Sequence, residues 1–457
     1  MAYFGNTVRG KQESIQVLLG DGINTYFPAS KIKRSECVSN LNMSNHKYPS
    51  LSVRRGNAWY ATAAVTTANG IGTYLDSEMH VLDGTTWKKW TGTAFSNIQT
   101  GMANARASFV IFSTSSKKYI ICIDGTNKYS WDGSTAASLG ADAPATNLYT
   151  VDDRRLYALL GQKLYFSAGG SITDWTTVND AGSITLAGNF GTARAICTYR
   201  DTVISFYDNS MHILYGNDTY DFYASDPMEF GCYGSRALIE LNGKLYFIWN
   251  NSLYGYAGGM PAKVSDKAKT YFEAIPTAYR YLVCVGKFDK YLYISIPYGT
   301  ATENNLTLEY DTEMDIWNVH NYGFRGFTNI AGSLIGIDNS GQTWTINSGT
   351  DDHGTAITWE WVSGWIDYGV ISKNKTISKQ FYSLNLVAGS TLVVYYSTDG
   401  TTYNRLNTFK ASGEEITEVT VPFDALTNIP RFRLKLSGTG PCNIEQIDEY
   451  FRIKQRL

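Results

Sequence analysis

One unit recurs along this chain: a polar turn, a short apolar strand, a second polar turn, and a strand that often ends in Trp or Tyr. LNGKLYFIWNNSLYGYAGGMPAKVS, Leu241 to Ser265, is a clear copy, with Asn242-Gly243 and Asn250-Asn251 as its turns. SKKYIICIDGTNKYSWDG, GQKLYFSAGGSITDW, RDTVISFYDNSMHILYG, FDKYLYISIPYG with NNLTLEYDTEMDIW, and AGSLIGIDNSGQTWTI are others, and GIGTYLDSEMHVLDGTTW is the earliest. Taking one strand of each unit as an anchor gives Tyr74, Tyr119, Leu164, Val203, Leu245, Leu292 and Leu334, at spacings of 39 to 47 residues. Four short strands at such a period are the mark of a propeller blade. A single blade cannot bury both of its faces. Radial stacking buries them, and closing the ring removes long edges. The expectation is an all-β chain with a β-propeller of about seven blades, six to eight being compatible with the spacing, over residues 56–350. A β-sandwich with evenly spaced strands is the competing architecture.

The pattern changes after about residue 350. TISKQFYSLNL, STLVVYYSTDGTTYNRL and RFRLKLSGTG are longer strands that alternate every second residue, as strands with one buried face do. Residues 351–457 therefore read as a C-terminal β-sandwich, jelly-roll-like in style. The best candidate for a helix is SDKAKTYFEAI, 265–275. Residues 1–55 fit neither pattern. They are polar, rich in turn residues and basic, with eight Lys and Arg against three acidic side chains, whereas the whole chain carries a formal net charge of −2. They read as an extended basic N-terminal arm, with Lys31, Lys33, Arg34, Arg54 and Arg55 as the candidate docking residues.

Composition fits this picture. The chain has 457 residues, more than one core usually serves, and 33 Tyr and 42 Gly suit strands joined by tight turns. The six cysteines are scattered without a CxxC pair and read as buried free thiols. No apolar run reaches the roughly 20 residues that span a bilayer, and MAYFGNTVRG lacks the apolar core of a signal peptide. Synthesis in a cytoplasm without membrane insertion is the expectation.

Chemistry is not written in the pattern. The five histidines show no metal-ligand spacing, and no Walker loop, GxGxxG or G-x-S-x-G elbow occurs. Gly-rich GNFGTARA lacks the Lys of a phosphate loop, and the acidic TEMD and VDD stretches read as hairpin turns rather than Ca²⁺ sites. Ser397, Asp399 and Gly400 in YSTDGTTYNRL resemble the Asp-box of sialidase-like propellers, with looser versions in IDNSGQTW and LDGTTW. That turn folds a hairpin, and glycoside hydrolysis needs a placed carboxylate pair besides. No catalytic residue, cofactor site or metal site is assigned, and the reading is not an enzyme.

Three stretches together resemble one family. They are GDGINTYFPASKIKRSECVSNLNM followed by LSVRRGN; FSAGGSITDWTTVNDAGSITLAG followed by ARAICTYRDTVISFYDNSMHILYG; and LYGYAGGMPAKVSDK. The series is similar to the tail hub or nozzle proteins of short-tailed bacteriophages, including packaged-DNA stabilisation proteins. The closing LVVYYSTDGTTYNRL and IPRFRLKLSGTGPCNIEQIDEYF resemble the sandwich that follows the propeller in phage tail and neck proteins. The resemblance implies a virion structural protein of the tail, made in a bacterial host. It implies a homo-oligomeric ring, usually a hexamer, below the portal and its adaptor, where the ring extends the DNA channel and helps retain packaged DNA. The alternative is a baseplate or receptor-binding tail protein whose sandwich binds carbohydrate.

Overall fold

The computed structural model describes residues 11–188, 191–216, 218–424 and 426–454. Among them are seven four-stranded antiparallel sheets, each a meander, numbered here as blades 1 to 7. Blades 1 to 6 cover residues 68–100, 108–138, 149–185, 193–224, 238–263 and 284–320. Blade 7 takes three strands from residues 324–345 and its outermost strand from Ala58–Trp59, with Trp344 opposite Trp59 and Thr345 opposite Ala58. A strand that precedes blade 1 thus completes the last blade, so the ring is closed by hydrogen bonds. The seven anchors fall one in each blade, on the first strand at Tyr74, the third at Leu164 and the second in the other five.

The first strand of each blade is innermost. Neighbouring first strands contact one another around most of the ring, from blade 5 through blades 6, 7, 1, 2 and 3 to blade 4. Second strands are mostly buried on both faces, and all of Tyr291–Ile296 is buried. Aromatic rings fill the gaps between blades, as where Trp87 of blade 1 meets Phe109 of blade 2 edge-on at 6.1 Å.

The sandwich consists of two antiparallel sheets. In one, the strand Cys442–Lys454 pairs with Asn374–Leu386, which pairs with Ile416–Pro422. In the other, Thr358–Ser363 pairs with Arg433–Thr439, then Thr391–Ser397, then Asn404–Lys410. Both sheets also take strands from the beginning of the chain. Gln12–Val17 and Leu51–Val53 lie along Cys442–Lys454, and Cys37–Leu41 lies along Thr358–Ser363.

The expectation of an extended arm over residues 1–55 is therefore corrected for its described part, residues 11–55; residues 1–10 lie outside the described residues. Val17, Leu19, Ile23, Cys37, Met43 and Leu51 are buried in a cluster shared with both the sandwich and blades 4 to 6. The polar residues between them are buried too. Asn40, Asn42, Ser44 and Asn45 are each no more than 2% exposed. Their polarity serves buried hydrogen bonds rather than solvent. The sandwich accordingly consists of 12–53 together with 358–454, not of the C-terminal residues alone.

The short helix Lys269–Glu273 sits between blades 5 and 6, inside the predicted stretch 265–275. All six cysteines are buried and free. No helix among the described residues is long and apolar enough to cross a membrane.

Candidate assembly surface and the seam behind it

The five basic candidates separate into two kinds. Arg54 is 3% exposed. Its Nη1 and Nη2 donate to the two carboxylate oxygens of Asp352 at 2.9 and 2.6 Å, its Nε donates to Asn42 Oδ1 at 3.0 Å, and its guanidinium lies 4.8 Å from the Tyr322 ring centre. Arg34 donates to Oε1 of the buried Glu449 at 2.6 Å. These two are fasteners, not docking groups, and that part of the expectation is corrected. Each pair has one buried member, the carboxylate of Glu449 and the guanidinium of Arg54, and the cost of leaving that buried charge alone holds the partner in place, bidentately in the case of Arg54.

Lys31, Lys33 and Arg55 are exposed, and none is in an ion pair among the described residues. Lys31 and Lys33 share a loop with Tyr26 and Phe27, which are 51% and 52% exposed and meet edge-on at 5.0 Å. The loop is held from beneath. Asn24 Oδ1 accepts from the Tyr26 N–H, Asn24 Nδ2 donates to Glu36, Thr25 donates its N–H to the Lys267 carbonyl, and Trp365 N–H donates to Ala29 O. The braced loop thus presents two exposed aromatic rings beside two exposed ammonium groups.

Behind the loop runs a polar seam between the N-terminal segment and blade 6. Glu309 is fully buried on the third strand of that blade. Its Oε1 accepts from Ser44 Oγ at 3.1 Å and Asn318 Nδ2 at 3.3 Å. Its Oε2 accepts from Tyr293 Oη at 3.0 Å and faces Nε2 of His46 at 3.2 Å and of His320 at 3.4 Å. Burial works against both charges of the His46–Glu309 pair, and their attraction outweighs it, so His46 is raised and Glu309 held well below the ordinary carboxylate range. His320 is lowered by its burial and serves as a neutral donor. Nearby, Asp311 accepts from Asn45 Nδ2 at 2.8 Å and pairs with Lys290 at 2.9 Å. Ser44, Asn45 and His46 of the N-terminal segment thus join Glu309 and Asp311 of blade 6.

The segment between propeller and sandwich is fastened as well. The carbonyl of Asp351 lies where a Cβ on Gly56 would sit, at 1.8 Å, so only glycine lets the two strands of chain pass there. Trp59 stacks on His353 at 3.8 Å.

The remaining sequence features fall into structural roles. Asp399 accepts from the N–H groups of Thr401 and Thr402 and from Ser397 Oγ, at the tip of a sandwich hairpin. Asp338 does the same for Ser340 and Gln342 and accepts from Trp344 Nε1 at 2.8 Å. His80 bridges Glu78 and Trp87. No group of three or more His, Cys, Asp or Glu among the described residues could hold a metal ion. Sequence reasoning missed Tyr26 and Phe27, although YF followed by Pro in a polar stretch is a visible signal. The Glu309 cluster has no such signal, because its members are far apart in sequence.

The chain is a seven-bladed β-propeller joined to a two-sheet sandwich. No protein-family model matches it, and neither does any curated protein. Among solved structures it is similar to a streptogramin B lyase, with 11% identity over 64% of this chain and 97% of that one, at a TM-score of 0.44. It is also similar to the computationally designed Ika8 protein, with 10% identity over 71% and 100% at 0.40, and to the N-terminal domain of Nup159, with 8% identity over 64% and 94% at 0.38. These likenesses concern the fold alone.

Proposed function

We propose that this protein is a structural subunit of a bacteriophage tail, a hub or nozzle component that forms a homo-oligomeric ring under the portal and adaptor and lengthens the channel for packaged DNA. The observation that carries the reading is the braced loop of Tyr26, Phe27, Lys31 and Lys33. It lies in the first of the stretches that resemble the tail hub family, and it points its aromatic and cationic groups outward from a stiff two-part scaffold. Its occupant in this reading is a neighbouring copy of the chain in the ring. A rigid propeller whose histidines and box-like turns are all engaged in holding structure suits a scaffold rather than an enzyme.

The test is complementation. Particles lacking this protein are supplied with Tyr26→Ser/Phe27→Ser or with Lys31→Gln/Lys33→Gln/Arg55→Gln. Both variants should fold as the wild type does yet fail to enter tails. If both enter particles at wild-type levels and particle maps show the loop facing solvent, the docking role is wrong. If the wild-type chain is absent from particles altogether, the virion reading fails with it.

A further inference from the structure

Four arginines stand at equivalent places in four blades, each directly before a small buried residue at the start of an innermost strand. They are Arg106-Ala107, Arg194-Ala195, Arg236-Ala237 and Arg325-Gly326. Because all the innermost strands start at the same end of the ring, the four side chains gather at one mouth of the central channel. Arg236 crosses that mouth. Its Nη1 donates to the Arg325 carbonyl at 2.9 Å, and its Nη2 donates to the carbonyls of Asn69 and, at 2.8 Å, Ala107. Gly70 and Gly326 lie beside it: a Cβ on either would be in ordinary contact with the guanidinium, at 3.4 and 3.7 Å. Arg106 donates to the carbonyls of Tyr281 and Arg325.

The charges do not balance. Arg325 pairs with Glu303 at 2.7 Å and Arg194 with Asp208 at 2.6 Å. Arg106 and Arg236 have carbonyl partners only, and neither is in an ion pair among the described residues. A cavity of about 190 Å³ opens at this point. Arg106, Arg194, Arg236, Ser235 and Asn147 are on its wall, and no carboxylate is. Burial, with the charge of Arg106 added, brings Arg236 down to about 9. Near the other end of the innermost strands of blades 2 to 4, a second cavity has Asp152, Asp153 and Asp201 on its wall against one cation, Arg154. Carbonyl dipoles orient a guanidinium without cancelling its charge, and a low-dielectric, donor-lined recess of one sign draws the opposite ion.

We propose that the arginine mouth of the propeller is a binding site for a tetrahedral oxyanion of the phosphate class. Arg106 and Arg236 supply the unbalanced charge, Arg194, already paired with Asp208, adds a further donor, and Ser235 and Asn147 supply neutral donors. The recess has the volume for one phosphate group, so the ligand is either free phosphate or the phosphate end of a nucleotide.

Titration calorimetry on the full chain tests this, with inorganic phosphate as the probe at constant ionic strength in a phosphate-free buffer. Saturable binding is expected. Arg106→Gln should weaken it at least about tenfold, the size expected for a lost charge-assisted hydrogen bond. Arg194→Gln, whose native guanidinium donates to Asp208 and to no ring carbonyl, should weaken it while leaving the closed ring intact. Lys410→Gln, exposed on the far sandwich, is the control and should bind as the wild type does. Adenosine 5′-monophosphate is the second probe. Tighter binding of the nucleotide than of phosphate assigns the site to a nucleotide phosphate, and equal or weaker binding assigns it to the free ion. Absence of saturable phosphate binding by the wild type, or full binding by both arginine variants, overturns the proposal.

Discussion

The propeller and the sandwich gather the strands of their sheets by opposite routes. The propeller draws its strands from one continuous run of chain and borrows only Ala58–Trp59 to close. Each blade pairs with its sequence neighbour, so most of its contacts are local. The sandwich draws on both ends of the chain, and Cys442–Lys454, one of its two longest strands, is paired along part of its length by Gln12–Val17. Its contacts span nearly the whole sequence. Local pairing makes a fold that nucleates early and tolerates damage blade by blade, whereas non-local pairing makes one that exists only when both ends are present.

Removing residues 1–53 is the harshest way to break this comparison. The truncated chain should keep a closed propeller and lose the sandwich, which would then lack the buried Val17, Leu19, Ile23, Met43 and Leu51. Limited proteolysis should digest 358–454 and spare the propeller. A fragment of 355–457 that unfolds cooperatively on its own would contradict the account.

Next in size is Arg54→Met. It leaves Asp352 half-buried without its bidentate partner and should cost about 3 kcal/mol in denaturant unfolding, most of it at the seam. Arg34→Gln should cost about 2 kcal/mol, because the carboxylate of Glu449 stays buried with Gln380 Nε2 as its remaining donor.

A smaller effect is expected from pH. The raised His46 contributes stability that is complete below the ordinary histidine value of 6.5 and is lost as pH rises through its higher folded value. The lowered Glu309 contributes stability that is present above 4.5 and is lost only in strong acid. Unfolding free energy should therefore decline on the alkaline side of neutrality, and Glu309→Gln should flatten that decline while lowering stability throughout. A pH-independent plateau from 6 to 9 in the wild type would remove His46 from the seam's energetics.

Smallest is Lys31→Gln/Lys33→Gln/Arg55→Gln, expected to change stability by under about 0.5 kcal/mol, since exposed unpaired charges contribute little to folding. A large loss of stability here would mean that these residues fasten the chain as Arg34 and Arg54 do.

The same contrast explains what could be read from the sequence. Blades were legible because turn signals such as Asn242-Gly243 repeat, and because a strand such as YLYISI carries its burial in its composition. The sandwich strands after 358 were legible through their alternation. The N-terminal strands were not, since in NLNMSN, 40–45, every polar residue is buried along with Met43, and only Leu41 is half-buried. Leu41 and Met43 pack, while Asn40 donates to Asn318 and Asn45 to Asp311 across the seam. Polarity marks exposure only when its partners are water, and here the partners lie some 270 residues away. Arg54 and Lys33 were indistinguishable as letters for the same reason: what separates them is Asp352, nearly 300 residues further on.

The pairing of Gln12–Val17 with Cys442–Lys454 also has a mechanical side. The strands are antiparallel, with Gln12 opposite Arg452 and Val17 opposite Ile447, so the two ends of the described chain emerge side by side. A pull that separates them loads the hydrogen bonds in series, and the strand pair opens like a zipper, bond after bond, rather than resisting in shear. The first strand to give way under such tension would belong to the sandwich, with the propeller still closed behind it.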